Sequence, residues 1–497
     1  MTSTLVLVLV SVYLVTVQAF SGNPTPSTVP PPREWQFHVA PMQCYTHAPL
    51  RQLYRTLSAN ATLWTEMEKV EDLLATGSKG LERRFGRYWT NRNTHASSSQ
   101  PENLVLQIGG NQPDKLRECL LRLSAQSQDQ DAFPFTQVNL NCGCPGIEAG
   151  GATTYGASLM KQPDYTGTLL QTMRDVLPST TKVSLKCRIG VVDTPADLSL
   201  RTEATRSGGD AVHDTTTVAS YQALHRYVSI ARDAGVSHVI LHARVAVLTG
   251  LSPSKNRIVP SLDYRMVERI ATDFPDLRVT LNGGIRNLGD LQRLRRFTSS
   301  PTTKTTCTPP VLPENSLVAS HMAGRWMLRR PLDLAAVQDY FDAEASDEGD
   351  GKPGKHIGAV AAQALERYVD YVTKETRDAS SAQPLADLCL PLYLVTEQLR
   401  EEYDALVYGE TDGMPNQWDP QASSPAVPFW SEDEMVTMYN VLVGAMDEMK
   451  AHTGKKRSQR SSSTSSTFVN FKRLSSSFKG LVGTKVVNKW KRNRAEL

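Results

Sequence analysis

The sequence of 497 residues has little cysteine, and its few thiols do not form a recognisable metal-binding set. Its seven cysteines are an odd number scattered over a long chain, which excludes a small secreted domain held together by disulfides. Cys142 and Cys144 flank a single glycine, but no second Cys/His pair at zinc spacing accompanies them. We therefore expect no metal site and a reducing compartment.

The chain as a whole also lacks a strong excess of charge of one sign. The formal net charge is +3, with 21% charged and 40% apolar residues, as in ordinary globular proteins. The length favours two or three domains. Positive charge is concentrated at residues 455–494, which contain almost no acid, and residues 342–350 are acidic. The basic end is compatible with nucleic-acid binding or with a solvated tail.

Long apolar runs are absent except for LVLVLVSVYLVTVQAF at residues 5–20. This run is short for a membrane span, which needs about 20 apolar residues, and it fits the apolar part of a signal peptide. A Pro-rich, acid-free segment follows at residues 21–33. The whole resembles the bipartite plastid-targeting leaders of algae with secondary plastids. We expect residues 1–33 to be a leader to the plastid stroma, with a mitochondrion, another organelle or secretion as alternatives, and no stable membrane association.

The region from residue 34 to residue 340 alternates short apolar strands with amphipathic helices. This alternation predicts parallel strands joined by right-handed crossovers, and eight such units in this length match a (β/α)₈ TIM barrel. A doubly wound open sheet is the alternative, but no G-x-G-x-x-G turn follows the first strand. The predicted strands are residues 37–42, 63–67, 104–110, 137–141, 182–190, 238–244, 278–284 and 316–325.

Residues that can take part in binding or catalysis follow nearly every predicted strand. Because the carboxyl ends of parallel barrel strands face one mouth, we expect these residues to meet there. A single polar residue after a strand is more often a surface residue, but a set at eight strand ends indicates a site. The set comprises Pro41, Met42, Glu66, Gln107, Asn141, Cys144, Lys186, Arg188, His242, Arg244, Asn282, Gly283, Gly284, Gly324 and Arg325.

The last two strand ends suggest what the mouth binds. Gly283 and Gly284 offer backbone amides without Cβ atoms, and Arg325 offers a guanidinium suited to phosphate. Loops after strands seven and eight often bind phosphate in such barrels. Lys186 places a positive charge where it would stabilise an anionic reduced flavin, and Gln107 provides a donor and an acceptor. We infer FMN as the cofactor.

An ordered series of motifs carries a family resemblance. HVAPMQCYTHAPLR, WTEM, LQIGG, VNLNCGCPG, YGASLM, LKCRIGVVD, HARVAVLTGLSPSKNRIVPSLDY and LNGGI occur between Phe37 and Arg325. Together they resemble the tRNA-dihydrouridine synthases, and the long segment ending at Tyr264 is similar to their A-type branch. The chain departs from this branch at residues 43–47, at Val245 and at Ser254.

The resemblance implies site roles, position by position. FMN would contact Pro41, Met42, Gln107, Lys186, His242, Asn282, Gly283, Gly284, Gly324 and Arg325. A nicotinamide cofactor, NADPH or NADH, would reduce the flavin, and hydride would pass to carbon 6 of a tRNA uridine while Cys144 protonates carbon 5. Because a stacked base is inaccessible, it has to be flipped into the mouth. Asn141 would bind the uracil edge, and Arg244 and Arg257 are candidates for RNA phosphates. Cys142 is expected to pack in the core.

The region from residue 356 to the C-terminus is expected to form a small all-α domain after an acidic linker at residues 341–355. Helical periodicity covers residues 356–375, 392–407 and 431–450. The basic end resembles the tRNA-gripping domain of dihydrouridine synthases, with Trp490, Lys491 and Arg492 on matching positions. We interpret it as a tRNA-binding surface and expect a monomer.

Two other functions remain compatible with the sequence. A flavin barrel acting on a free pyrimidine explains the mouth but not the basic end, and a non-catalytic RNA-binding protein explains the basic end but needs no flavin. Loops are expected at residues 194–217 and 298–315 because both are rich in Ser, Thr, Pro or Gly.

Overall fold

A computed structural model describes residues 37–86, 103–125, 133–145, 155–198, 220–295, 317–346, 357–408, 430–452 and 469–495. The predicted leader and most of the two predicted loops lie outside the described residues. Among the helices described, none combines the length and the apolar character needed to cross a membrane.

Eight parallel strands form the central sheet, as the sequence predicted, and two short strands form a separate ladder. Backbone hydrogen bonds from Val39 N to Thr62 O and from Thr62 N to Phe37 O, both 2.9 Å, join the first strand to the second and close the barrel. The strands are β1 Phe37–Val39, β2 Leu63–Lys69, β3 Leu104–Gly109, β4 Gln137–Cys142, β5 Lys182–Arg188, β6 Val191–Val192, β7 His238–His242, β8 Ala246–Val247, β9 Arg278–Asn282 and β10 Ser320–Ala323, of which β6 and β8 form the short ladder.

Helices cover the outer face of the barrel because the strands carry apolar side chains on that face. Their amphipathic periodicity buries one side of each helix against the sheet. The helices around the barrel are α1 Ala48–Leu57, α2 Val70–Ala75, α3 Ser78–Phe85, α4 Pro113–Ala125, α5 Pro163–Val176, α6 Tyr221–Asp233, α7 Tyr264–Asp273, α8 Leu288–Arg295, α9 Arg325–Arg329 and α10 Asp333–Ser346, with short 3₁₀ turns at Gly156–Lys161 and Lys255–Arg257.

The inner face of the barrel is largely polar. Because side chains alternate along a strand, β4 directs Gln137, Asn139 and Asn141 inward and Val138 and Leu140 outward. Among the described residues, a small apolar cluster fills part of the interior, comprising Ala40, Trp64, Val105, Ile240 and Met322.

Five further helices form an all-α domain, as predicted. They are α11 Ile357–Arg377, α12 Leu385–Tyr408, α13 Glu432–His452, α14 Phe471–Val482 and α15 Thr484–Ala495. Helix α11 packs against α13, α12 packs against α14, and α11 also contacts α1 of the barrel. The basic end of the chain therefore includes two ordered helices within this domain.

Most element boundaries differ from those expected by a few residues; β1, for example, ends at Val39 and not at residue 42, and two of the differences concern helices. Helix α12 begins at Leu385 and contains Pro391, whereas helical periodicity predicted a start at residue 392. Helix α10 continues to Ser346, so the first residues of the predicted linker at 341–355 are helical.

Candidate active site at the barrel mouth

The Cys144 turn follows directly from the end of β4. The side-chain oxygen of Asn141 accepts hydrogen bonds from the backbone N–H groups of Gly143 and Cys144, both at 3.1 Å. The carbonyl of Cys144 accepts from Ala157 N at 2.9 Å, and a Cβ at Gly156 would lie only 2.6 Å from that carbonyl oxygen. The turn is therefore fixed at both ends, with the Cys144 thiol half-buried. Cys142 is fully buried in the core, as expected.

A chain of side-chain amides supports Asn141 from inside the barrel. Asn141 Nδ2 donates to Gln107 Oε1 at 2.9 Å, and Gln107 Nε2 donates to Asn139 Oδ1 at 2.9 Å. Asn139 Nδ2 then donates to Ser184 Oγ at 2.9 Å. Since backbone N–H groups can only donate, the amide of Asn141 has one possible orientation, and the orientation of Gln107 follows. Both residues therefore use their carbonyl oxygens inside the protein, and each of their amide groups also donates one N–H there.

Lys186 and His242 lie on neighbouring strands of the same mouth. Lys186 Nζ donates to Asn282 Oδ1 at 3.1 Å, and Asn282 Nδ2 donates to Met322 O at 2.8 Å. Burial, together with the nearby Arg188 guanidinium, lowers the pKa of Lys186 to about 8. Burial and the surrounding cations hold the pKa of His242 well below its ordinary value, so this imidazole is neutral at neutral pH.

The glycine turn after β9 is shaped by its neighbours. Gly283 and Gly284 have φ angles of +106° and +80°, which favour glycine. A Cβ would lie 2.5 Å from a carbon of His242 at Gly283 and 2.2 Å from the Tyr264 hydroxyl at Gly284. The turn needs glycine for close packing, and no acceptor within the described part of the chain faces the two backbone N–H groups.

The β10 end completes the mouth. Met42 follows β1 and packs beside Gly324, where a Cβ would approach its sulfur to 3.0 Å. The preceding residue, Pro41, is half-buried. Arg325 is also half-buried, and burial together with the neighbouring arginines lowers its pKa to about 10. Its Nη2 donates to the carbonyl of Arg257 at 3.4 Å. These segments of the mouth come from strands that are far apart in the sequence but adjacent in the barrel.

Two predicted RNA contacts have intramolecular partners here. Arg244 Nη1 donates to the carbonyls of Ile258 (3.2 Å) and Pro260, so Arg244 organises the segment after β7, while its buried Nε atom lacks a hydrogen-bond partner. Arg257 lies in the 3₁₀ turn of that segment. Sequence reasoning noted Arg188 only as a strand-end residue and missed Asn139 and Asn256, although strand alternation already placed Asn139 on the inner face.

The predicted tRNA-binding residues of the helical domain divide between surface and core. Lys491 and Arg492 are exposed on α15. Trp490 is buried, with its ring centroid 5.2 Å from that of Tyr393, so it belongs to the domain core.

Residues 38–300, more than half of the chain, match the family model described as dihydrouridine synthase (Dus). The chain belongs to the dihydrouridine synthase family. Relatives named tRNA-dihydrouridine(20/20a) synthase, from Pseudomonas putida and Pseudomonas syringae, are each 34% identical over 268 and 265 residues, or 54% and 53% of this chain. The Pasteurella multocida protein of that name is 32% identical over 52% of this chain. The matched region spans 66%, 65% and 64% of these three relatives, just under two thirds of their length.

The family match covers β1 to β9 and therefore includes the Cys144 turn, Lys186, His242 and the glycine turn. It ends before β10 and Arg325. A solved structure of a dihydrodipicolinate synthase family protein from Coccidioides immitis covers 69% of this chain and 90% of its own, at 11% identity and a TM-score of 0.21. That score is too low to support a statement about this dihydrouridine synthase family member.

Proposed function

We propose that the protein is an FMN-dependent tRNA-dihydrouridine synthase that reduces the 5,6 double bond of tRNA uridines, with NADPH or NADH as the reductant. The observation that carries this proposal is that the half-buried Cys144 thiol shares the barrel mouth with Lys186, Asn282 and the glycine turn. The Dus match and the names of the relatives support it.

The hydrogen-bonding groups of the mouth fit an anionic, carbonyl-rich cofactor. Gly283 and Gly284 have backbone N–H groups without acceptors in the described part of the chain, and Arg325 lies on the neighbouring strand end. These groups would hold the phosphate of FMN. Lys186 and the second side-chain N–H of Gln107, beside the one that donates to Asn139, would contact the flavin ring, whose carbonyl oxygens and ring nitrogens accept hydrogen bonds. When bound and reduced, this cofactor supplies the hydride.

Cys144 supplies the second hydrogen that saturation of one uracil bond requires. As carbon 6 receives hydride, carbon 5 takes a proton, and the thiol of Cys144 gives it and is later reprotonated from solvent. Asn141 keeps the turn that carries the thiol in one geometry. Since the thiol is half-buried rather than enclosed, a base flipped out of its stack can reach it.

The helical domain would hold the tRNA. Helices α14 and α15 expose basic side chains, which neutralise phosphates without reading sequence. The exposed residues are Lys472, Arg473, Lys479, Lys485, Lys489, Lys491 and Arg492.

The test is Cys144→Ala, with Cys44→Ala as the matched control at an exposed cysteine. We expect Cys144→Ala to retain flavin and to lose dihydrouridine formation by a factor of about 10²–10⁴, as for loss of a general acid. Mass analysis of tRNA nucleosides measures the product, and visible absorbance measures the flavin. Full activity of Cys144→Ala, with activity equal to that of the control, would contradict the assigned role.

A further inference from the structure

Arg188 connects two parts of the mouth that are distant in sequence. It is the last residue of β5 and only 3% exposed. Its Nε donates to the carbonyl of Gly143 in the Cys144 turn, and its Nη1 donates to the carbonyl of Asn256, both at 3.1 Å. One guanidinium thus bridges the thiol turn and the segment after β7.

Asn256 is the residue that closes that segment, residues 243–263, which we call the β7–α7 loop. Its side chain is fully buried and pairs with the backbone of Val247, accepting from Val247 N at 2.8 Å and donating to Val247 O at 2.9 Å. A further bond of 3.3 Å runs from its Nδ2 to Leu251 O. Any displacement of Asn256 therefore displaces both the loop and the carbonyl that Arg188 contacts.

The buried positive charge of Arg188 lowers the stability of the folded protein. Burial lowers its pKa to about 9, the Cys144 thiol counteracts this, and Arg257, Arg244 and Arg325 add to the lowering. No carboxylate within the described part of the chain pairs with it, and a buried cation without one lowers stability. Since fold stability does not account for this charge, it points to a role in the site.

We propose that Arg188 is a positioning residue that couples the Cys144 turn to the β7–α7 loop through Asn256, so that displacement of the loop moves the thiol. Arg257 lies in this loop. An RNA contact on this loop would then set the thiol in place, and this consequence rests on the proposed function. The coupling itself is a property of the chain alone.

The experiment measures the alkylation rate of Cys144 by iodoacetamide in the purified full chain, resolved by peptide mass spectrometry. The exposed Cys44 is the internal reference. The variants are Asn256→Ala, Arg188→Lys and the double variant. Lysine retains the positive charge but cannot bridge two carbonyls as a planar fork does, so its effect reports the bridge rather than the charge.

We expect each single variant to accelerate Cys144 alkylation about fivefold, and the double variant also about fivefold, because two residues of one path are not additive. A double variant near the additive product of about 25-fold would overturn the coupling. So would an Asn256→Ala variant whose Cys144 rate equals that of the wild type.

Two control variants have comparable local roles outside the mouth. Arg174 also donates to backbone carbonyls, of Thr181 and Leu177, and Asn470 caps α14. Arg174→Lys and Asn470→Ala should leave the Cys144 rate unchanged. Where Asn256→Ala fails to fold, Asn256→Asp retains the acceptor for Val247 N and removes the donor. A Cys144 alkylation rate in Asn256→Asp equal to that of the wild type would equally overturn the proposal. The outcome of the Cys144→Ala activity test concerns the proposed function and does not decide this coupling.

Discussion

The barrel mouth and the junction between the barrel and the helical domain both bury cations, but the partners of those cations differ. At the mouth, Arg188, Arg244 and Arg325 donate to backbone carbonyls, and Lys186 donates to an amide oxygen. Within the described part of the chain, none of these four cations forms a salt bridge with a carboxylate. Their positive charge is therefore not neutralised by a carboxylate within the described part of the chain.

At the junction, the buried cations Arg330 and Arg494 have carboxylate partners. Arg330 contacts Asp333 and Glu402, both at 2.8 Å, and both carboxylates are fully buried. Arg494 of α15 pairs with Glu401 in the same way. Burial alone would lower the pKa of Arg330, but the carboxylates of Asp333 and Glu402 outweigh burial and raise it. The junction uses its charges to fix the two domains, whereas the mouth concentrates cations that donate to carbonyl and amide oxygens without a neutralising carboxylate in the described residues.

The largest expected effect comes from removing two cations of the barrel mouth. Lys186→Ala combined with Arg325→Ala removes two charge-assisted contacts of about 1.5–3 kcal/mol each, so FMN affinity should fall by about 10²–10⁴. The melting temperature should stay equal or rise, because each of the two removed cations is repelled by neighbouring arginines. Flavin absorbance and an FMN titration measure the first effect, and thermal unfolding measures the second. The exposed Arg226→Ala is the control. A wild-type protein that takes up no FMN would contradict the prediction.

The second prediction breaks the junction. Arg330→Met leaves the carboxylates of Asp333 and Glu402 buried without their cation, which should cost about 3–5 kcal/mol of unfolding free energy. The control is Arg83→Met, since Arg83 is 57% exposed, pairs with Asp387 at 3.2 Å across the same junction and should cost less than about 1 kcal/mol. Urea denaturation measures both variants. Equal losses would show that burial does not distinguish these pairs.

The sequence predicted the barrel because its period-two strands and amphipathic helices are local patterns. The strand β4 was expected at residues 137–141 and lies at Gln137–Cys142. The mouth residues were also predictable, since parallel topology brings strand ends together whatever their separation in the chain. What the sequence did not reveal are partnerships between elements. Nothing local shows that Arg188 meets Asn256, or that the Gln107 carbonyl is already used by Asn141.

The third prediction concerns how FMN affinity at the mouth depends on pH. The pKa of Lys186 is lowered to about 8 in the ligand-free protein, and a ligand ring that accepts a hydrogen bond from its amine favours the protonated form. Binding then takes up a proton above that pH, so FMN affinity should fall as the pH rises from about 8 towards 10, by up to about tenfold per pH unit. In Lys186→Arg, which stays charged, the decline should vanish. FMN titrations at several pH values measure it, and an equal decline in both proteins would assign the titration to another group.

The smallest expected effect compares two faces of one helix. On α15, Lys491 and Arg492 are exposed, whereas Arg494 is buried and bound to Glu401 and to the carbonyl of Arg329. If the exposed face contacts tRNA phosphates, Lys491→Ala with Arg492→Ala should weaken tRNA binding several-fold. It should also reduce the slope of log affinity against log salt by about 1–2, because each lost phosphate contact removes about 0.7–0.9.

Arg494→Ala should instead lower the melting temperature and leave the salt slope of the folded protein unchanged. Filter binding at several salt concentrations separates the two. A salt slope that responds to Arg494 and not to Lys491 and Arg492 would place the RNA on another face of the domain.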